Sequence, residues 1–158
     1  MNTLILYASK YGCAMDCGVE VKNKLSGDVV LVDIKNNNDK INLEQYDTVI
    51  IGSSIYVGAI PKELKNFCAD NIDILKSKKV GIFLCCASMD EADKYFESNF
   101  PEDLLRSAKV VKAFGGEARV DKMGFMDKMI VKVATKGNPQ GLKINRESLD
   151  EFARIMNS

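Results

Sequence analysis

Ser9, Lys10 and Gly12 lie in a short loop that directly follows an apolar run, Leu4-Ile5-Leu6-Tyr7-Ala8. Tyr11, Cys13 and Ala14 complete the loop, and a helix-forming segment begins at once. An apolar run this short, without polar alternation, suits a parallel strand covered on both faces. A loop between such a strand and a helix gathers backbone N–H groups at the helix N-terminus. Those donors and the helix dipole together attract a phosphate or another anion. Ser9 adds a hydroxyl donor, and Gly12 permits close backbone approach. Lys10 either adds positive charge to the loop or is simply solvated. An ordinary strand-to-helix turn uses the same residue types, so this loop alone leaves both readings open.

Two further loops carry residues of interest. Ser54-Ile55-Tyr56-Val57-Gly58 follows an apolar run at 48–53, and Cys86-Ala87-Ser88-Met89 follows another at 79–85. Between these loops strand and helix patterns alternate. The first helix is predicted over 15–25, and a second buried strand over 29–33. Strong turn chemistry occupies 36–39, and a helical turn 43–46. A helix starts at Pro61, which fits a first turn because its missing N–H is not needed there. Helices are also predicted over 91–97, 101–106 and 123–136, with a fifth strand within 108–120 that is interrupted or ends near Gly115-Gly116. A loop is predicted at 138–141. Asn145 can N-cap a last helix whose Leu149, Phe152, Ala153 and Met156 share one face. No repeat or linker divides the chain, so one domain over 1–158 is expected. Alternation of this kind predicts a three-layer α/β domain with a parallel sheet. Its ligand site is expected outside the carboxyl ends of the strands, where the three loops meet.

Composition narrows the chemistry. The chain has 158 residues with 22 basic and 22 acidic side chains, so no net basic field recruits nucleic acid. No apolar run is long enough to span a bilayer. No export leader is apparent, so a reducing, cytoplasmic compartment is expected. There is no histidine, which removes Ser-His and Cys-His triads and most zinc chemistry. The five cysteines, Cys13, Cys17, Cys68, Cys85 and Cys86, read as buried, inert thiols. No side-chain acid, base or nucleophile stands out, which does not suit a hydrolase, and no metal site is expected.

The residues resemble a known family. The stretch Leu4 to Ala14 is similar to the phosphate loop of flavodoxins, with Ser9 and Gly12 at matching positions. Asp47-Thr48-Val49-Ile50-Ile51-Gly52-Ser53-Ser54-Ile55-Tyr56-Val57-Gly58 resembles the D-x-V-V-I-G-x-S-I-x-x-G stretch of a flavodoxin-domain group that includes menaquinone-dependent protoporphyrinogen oxidase. Phe114-Gly115-Gly116-Glu117-Ala118-Arg119 resembles the glycine step after that group's fifth strand. The resemblance implies a flavodoxin-like sandwich around a five-stranded parallel sheet in the order 2-1-3-4-5, an order of which flavodoxins are themselves a type example. The chain departs from the family at Tyr11 and Ala14, where two phosphate-loop hydroxyls are missing. At roughly 0.5–1.5 kcal/mol per neutral hydrogen bond, that loss weakens phosphate binding without abolishing it, because backbone donors remain.

The implied cofactor is FMN. The phosphate is assigned to Ser9, Lys10, Tyr11, Gly12, Cys13 and Ala14. Ser54, Ile55, Tyr56, Val57 and Gly58 are assigned to the ring, with Tyr56 as the stacking candidate. Tyr56 as plain loop packing is the other reading. Gly58 is implied to turn its carbonyl toward the reduced ring, and it is equally a turn glycine. Ala87 and Ser88 are assigned to the pyrimidine edge, and Cys86 and Met89 beside them to the cofactor site. Three functions follow: an FMN-dependent oxidoreductase like the protoporphyrinogen oxidases, an electron carrier without its own substrate, and a flavin-free domain on a similar fold. The near-zero charge favours the first, since carrier flavodoxins are usually acidic. The expected partner is a redox protein or a small-molecule electron donor such as a porphyrinogen.

The segment 123–136 has two readings. Met126, Met129, Ile130 and Val133 form an apolar stripe, and Lys128, Lys132 and Lys136 form a basic row. Either the stripe packs on the sheet and the lysines face water, or the segment borders the flavin and meets an anionic partner. Such a partner is a propionate-bearing tetrapyrrole, an acidic protein or an anionic lipid surface.

Overall fold

The computed structural model describes residues 1–37, 40–116, 124–134 and 143–158, with backbone alone at 130–134. Expectations at Asn38, Asp39, 117–123 and 135–142 lie outside the described residues, as do the side chains of Ile130, Lys132 and Val133. Five strands, β1 (Asn2–Ala8), β2 (Asp28–Asp33), β3 (Thr48–Ser54), β4 (Lys79–Cys85) and β5 (Val110–Ala113), form one sheet in the order β2-β1-β3-β4-β5. Every neighbouring pair is parallel. The sheet and its order are those the residues and the family resemblance imply.

The period-two geometry of a strand sends successive side chains to opposite faces. Leu4, Leu6 and Ala8 of β1 therefore join Val49, Ile51, Ile82 and Leu84 in one apolar layer. Ile5, Ile50, Phe83 and Cys85 join the other. The first layer is covered by α2 (Lys62–Asp70), α3 (Ile72–Lys76), α4 (Ala92–Asn99) and α5 (Glu102–Ser107) through Leu64, Leu75, Phe96 and Leu104. The second is covered by α1 (Cys13–Lys24) and α7 (Arg146–Asn157) through Val21, Leu149, Phe152 and Met156. Each fully buried Leu, Ile or Phe contributes about 1.5–3 kcal/mol.

The second layer centres on three rings. Phe83 stacks on Phe114 with centroids 4.8 Å apart, and Phe152 meets both edge-on. Phe83 lies directly over Gly52, its register partner on β3. A Cβ at Gly52 would come within 2.0 Å of the ring, so this close approach requires glycine.

Three local differences from the sequence reading have plain causes. Strand β2 is not buried: it is an edge strand, with Val30 45% exposed. The helix begun at Pro61, for which the residues set no end, stops at Asp70 and a short second helix follows, because Asn71 leaves helical geometry (φ −116°, ψ 19°) and its Nδ2 donates to the Phe67 carbonyl. Helix α1 starts at Cys13 instead of residue 15, so Cys13 and Ala14 belong to its first turn. Asn145 caps α7 as expected, its Oδ1 accepting from the Ser148 N–H at 3.0 Å. No described helix is long and apolar enough to cross a membrane.

Candidate functional site

The strand order reverses between β1 and β3, and in open parallel sheets a crevice forms at the carboxyl ends on either side of such a reversal. The loops after β1, β3 and β4 meet at that edge. The Ile55 N–H donates to the Cys85 carbonyl at 2.9 Å, joining the second loop to the end of β4. The Cys86 N–H donates to the Gly115 carbonyl at 2.9 Å, joining the third loop to the segment after β5.

The first loop is a tight turn closed by its own serine. Ser9 Oγ accepts from the Gly12 N–H at 2.9 Å. Gly12 takes a left-handed conformation, φ 93°, and occupies the N-cap of α1 with no side-chain cap on the helix. That geometry needs glycine. It leaves the first turn of α1 to be satisfied from outside the helix, the arrangement that suits an anion. Ser9 is half-buried, and because its oxygen is the acceptor in the turn, its hydroxyl hydrogen is available to a ligand. Cys13 and Ala14 are buried, 7% and 0% exposed, so their side chains face the core and only their main chain borders the loop.

The second loop is a two-residue hairpin. Tyr56 and Ala59 exchange N–H to carbonyl bonds at 3.0 and 3.1 Å around Val57 and Gly58. Val57 has φ 49° and Gly58 φ 75°. Positive φ at both central residues is the type I′ pattern, normally filled by Asn or Gly. A β-branched residue there is strained. Val57 is 68% exposed, so no packing of its side chain compensates.

Tyr56 is fixed from two sides. Its hydroxyl donates to Asp127 Oδ1. Asp127 lies on α6 (Phe125–Ala134), whose start therefore reaches this edge of the sheet. Lys10 Nζ lies 3.5 Å from the Tyr56 ring centroid and pairs with Asp127 Oδ2 at 3.0 Å. Burial depresses the Lys10 pKa, but hydrogen bonds to Asp127 and Tyr56 and the Asp127 charge outweigh it, and the net effect is upward. Lys10 is thus neither simply solvated nor aimed solely at the loop.

The third loop divides by exposure. Cys86 is buried, and burial pushes its thiol up to about 11. Its Sγ points to the Ser88 carbonyl at 3.6 Å. Ala87 is exposed, Ser88 half-buried and Met89 42% exposed. Ser54 and Ile55 are half-buried beneath the hairpin. The structure thus gathers all three predicted loops at one edge.

Sequence reasoning missed two residues there, Asp127 and Asn99. Asn99 of α4 is 5% exposed. Its Oδ1 accepts from the Ile60 N–H at 3.1 Å, and its Nδ2 donates to the carbonyls of Gly58 at 3.0 Å and Tyr95 at 2.8 Å. A signal existed: Ala92, Phe96 and Asn99 share the buried face of α4, and an asparagine on an apolar stripe demands partners. Segment 123–136 is also clarified in part. Met126 and Met129 are 69% and 50% exposed, so these two residues of the apolar stripe do not pack on the sheet, and Phe125 beside them is 76% exposed.

Solved structures with the same fold include a flavodoxin from Streptococcus pneumoniae, with 17% identity, TM-score 0.57, and coverage of 99% of this chain and 97% of that one. A short-chain flavodoxin associated with a bacterial microcompartment has 16% identity and TM-score 0.62, covering 100% and 99% of the two chains. A Lactobacillus acidophilus flavoprotein solved in complex with FMN has 22% identity and TM-score 0.52, covering 77% of this chain and 97% of that one. No curated protein sequence matches. The family model for the flavodoxin domain matches residues 4–141, and the chain belongs to that family.

Proposed function

We propose that this chain binds FMN at the carboxyl edge of its sheet and carries electrons between redox partners. The observation that carries the reading is the meeting, beside the β1/β3 reversal, of the Ser9–Gly12 turn at the uncapped start of α1 with the Tyr56–Ala59 hairpin. The donor set fits a phosphate: the Ser9 hydroxyl and the main-chain N–H groups around the first turn of α1, with the Gly12 N–H spent on Ser9 Oγ to hold the loop's shape. Lys10 adds a nearby cation partly neutralised by Asp127. The Tyr56 and Ile55 side chains and the main chain of Ser54, Val57 and Gly58 flank the ring position on one side. Cys86, Ala87, Ser88 and Met89 border the other. Bound FMN supplies the electron chemistry, and the protein sets its potential through hydrogen bonds and charge. The FMN complex of the L. acidophilus flavoprotein supports the choice of cofactor.

The carrier reading takes precedence over the oxidase reading because the matching structures are named flavodoxins. A second reading, oxidation of a porphyrinogen, draws on exposed Phe125, Met126 and Met129 around Lys128, on the helix whose Asp127 reaches Tyr56. These residues offer apolar contact and charge to a flat anionic substrate.

The test is a titration of the purified protein with FMN and with riboflavin. Much tighter FMN binding is expected, and equal affinity would remove the phosphate from the Ser9–Gly12 turn. The loaded protein is then assayed with protoporphyrinogen and with a flavodoxin reductase. Reduction by the reductase without porphyrinogen turnover identifies a carrier.

A further inference from the structure

Three of the five cysteines, read from sequence as inert, bring their side chains together in the apolar layer beside the first loop. Cys13 and Cys17 are one helical turn apart on the inner face of α1, and Cys85 ends β4 directly beneath them. Their sulfurs all lie within 4.8 Å of one another, with Cys85 and Cys17 at 3.6 Å. All three are buried, among Ile5, Phe83 and Phe114 of the same apolar layer. Three sulfurs on one pyramidal centre with bonds of about 2.3 Å stand roughly 3.3–3.5 Å apart. The cluster needs only small side-chain adjustments to reach that spacing.

We propose that Cys13, Cys17 and Cys85 are a three-sulfur site for a thiophilic trivalent ion, and that arsenic(III), arriving as arsenous acid, is its ligand. Charge selects the ion. Three thiolates on a monovalent ion such as Cu(I) leave two net negative charges in the core, and on Zn(II) or Cd(II) they leave one. Burying such a charge without a partner is costly. Three thiolates on arsenic(III) are neutral. Coordination number agrees: zinc normally takes a fourth ligand, while arsenic(III) completes a pyramid with three. Among the described residues no fourth His, Cys, Asp or Glu joins the group.

The reaction is a condensation. Three S–H bonds and three As–OH bonds break, three As–S bonds form, and three waters leave. Arsenic stays trivalent and no electron moves. Burial in the same apolar layer as Ile5, Phe83 and Phe114 favours a route in which no charged thiolate has to form in the core. Condensation uses the protonated thiols and returns their hydrogens as water, so no charge crosses the apolar layer. Cys13, the most exposed of the three at 7%, adjoins the first loop and is the point of entry.

The experiment uses the full chain, reduced with a phosphine, and sodium arsenite. Native mass spectrometry should show one arsenic per chain with loss of three hydrogens, accompanied by a near-ultraviolet sulfur-to-arsenic absorption. The melting temperature should rise with arsenite concentration. Cys17→Ala and Cys85→Ala should each lose the three-hydrogen adduct, while Cys68→Ala, in the opposite layer, should keep it. Should the core variants fail to fold, alkylation mapping of the unaltered chain decides. Arsenite should then protect Cys13, Cys17 and Cys85 but not Cys68 or Cys86. Absence of an adduct, its survival in both core variants, protection of other cysteines, or tighter binding of Cd(II) than of arsenite would each overturn the proposal.

Discussion

The Asn99 side-chain amide donates to the Gly58 carbonyl at 3.0 Å, so the exposed tip of the hairpin is held from within α4. The same side chain accepts from the Ile60 N–H, so one buried residue holds the turn at Gly58 and just after it, while its bond to the Tyr95 carbonyl ties it to its own helix. Any rotation of the Gly58 peptide toward a bound ring must break this bond. Asn99→Ala should lower stability by about 1–3 kcal/mol, because buried backbone groups lose their partner. In the FMN-loaded protein it should also raise the potential of the first electron by about 20–60 mV, the equivalent of one neutral hydrogen bond. Spectroelectrochemical titration reads this. An unchanged potential with lowered stability would make Asn99 a structural residue only.

Val57 holds a left-handed conformation that a β-branched side chain disfavours. Val57→Asn creates the Asn-Gly pair that type I′ turns prefer. It should stabilise the protein by about 1 kcal/mol, seen as a higher urea midpoint at constant slope. A lower midpoint would mean the exposed valine makes contacts that outweigh its strain.

Lys10, Tyr56 and Asp127 form a clasp between the first two loops and α6. Because the Lys10 pKa is raised on folding, the contribution of its charge is present below the ordinary value of 10.5. It is lost as pH rises through the higher folded value. The contribution of the Lys10 charge should therefore not change between roughly pH 6 and pH 9, below the ordinary lysine value. Asp127→Asn releases Lys10 to the phosphate position and should tighten FMN binding severalfold, roughly 0.5–1 kcal/mol for a partly exposed ion pair. The gain should shrink at high salt. Equal affinities at low salt would show that Lys10 contributes nothing to phosphate binding.

Thr3 and Thr48 are register partners on β1 and β3, and both Oγ1 atoms are buried with no hydrogen-bond partner among the described residues. Thr48→Val removes one such hydroxyl at nearly constant shape. It should raise stability by about 1 kcal/mol, measured as an upward shift in melting temperature. A fall would point to a hydrogen bond between these hydroxyls in solution.

The sequence alone determined the strand pattern, because β1, β3 and β4 are short apolar runs bounded by turn residues and sit in the middle of a covered sheet. It also located the three loops, since Ser9, Gly12 and Gly58 are residue types that tight turns require. β2 was legible as a strand but not as an edge, because exposure depends on which neighbours the sheet order supplies. The end of the helix after Pro61 was not legible, because no proline or glycine marks Asn71. What only the tertiary structure decided is the set of partners drawn from distant parts of the chain. Asn99 reaches Gly58 across 41 positions, Asp127 reaches Tyr56 across 71, and Cys85 reaches Cys17 across 68. None of these pairs has a local periodicity to read. Side chains from separate helices and strands come within hydrogen-bonding distance only after the two apolar layers have fixed α1 and α4 on opposite faces of the sheet.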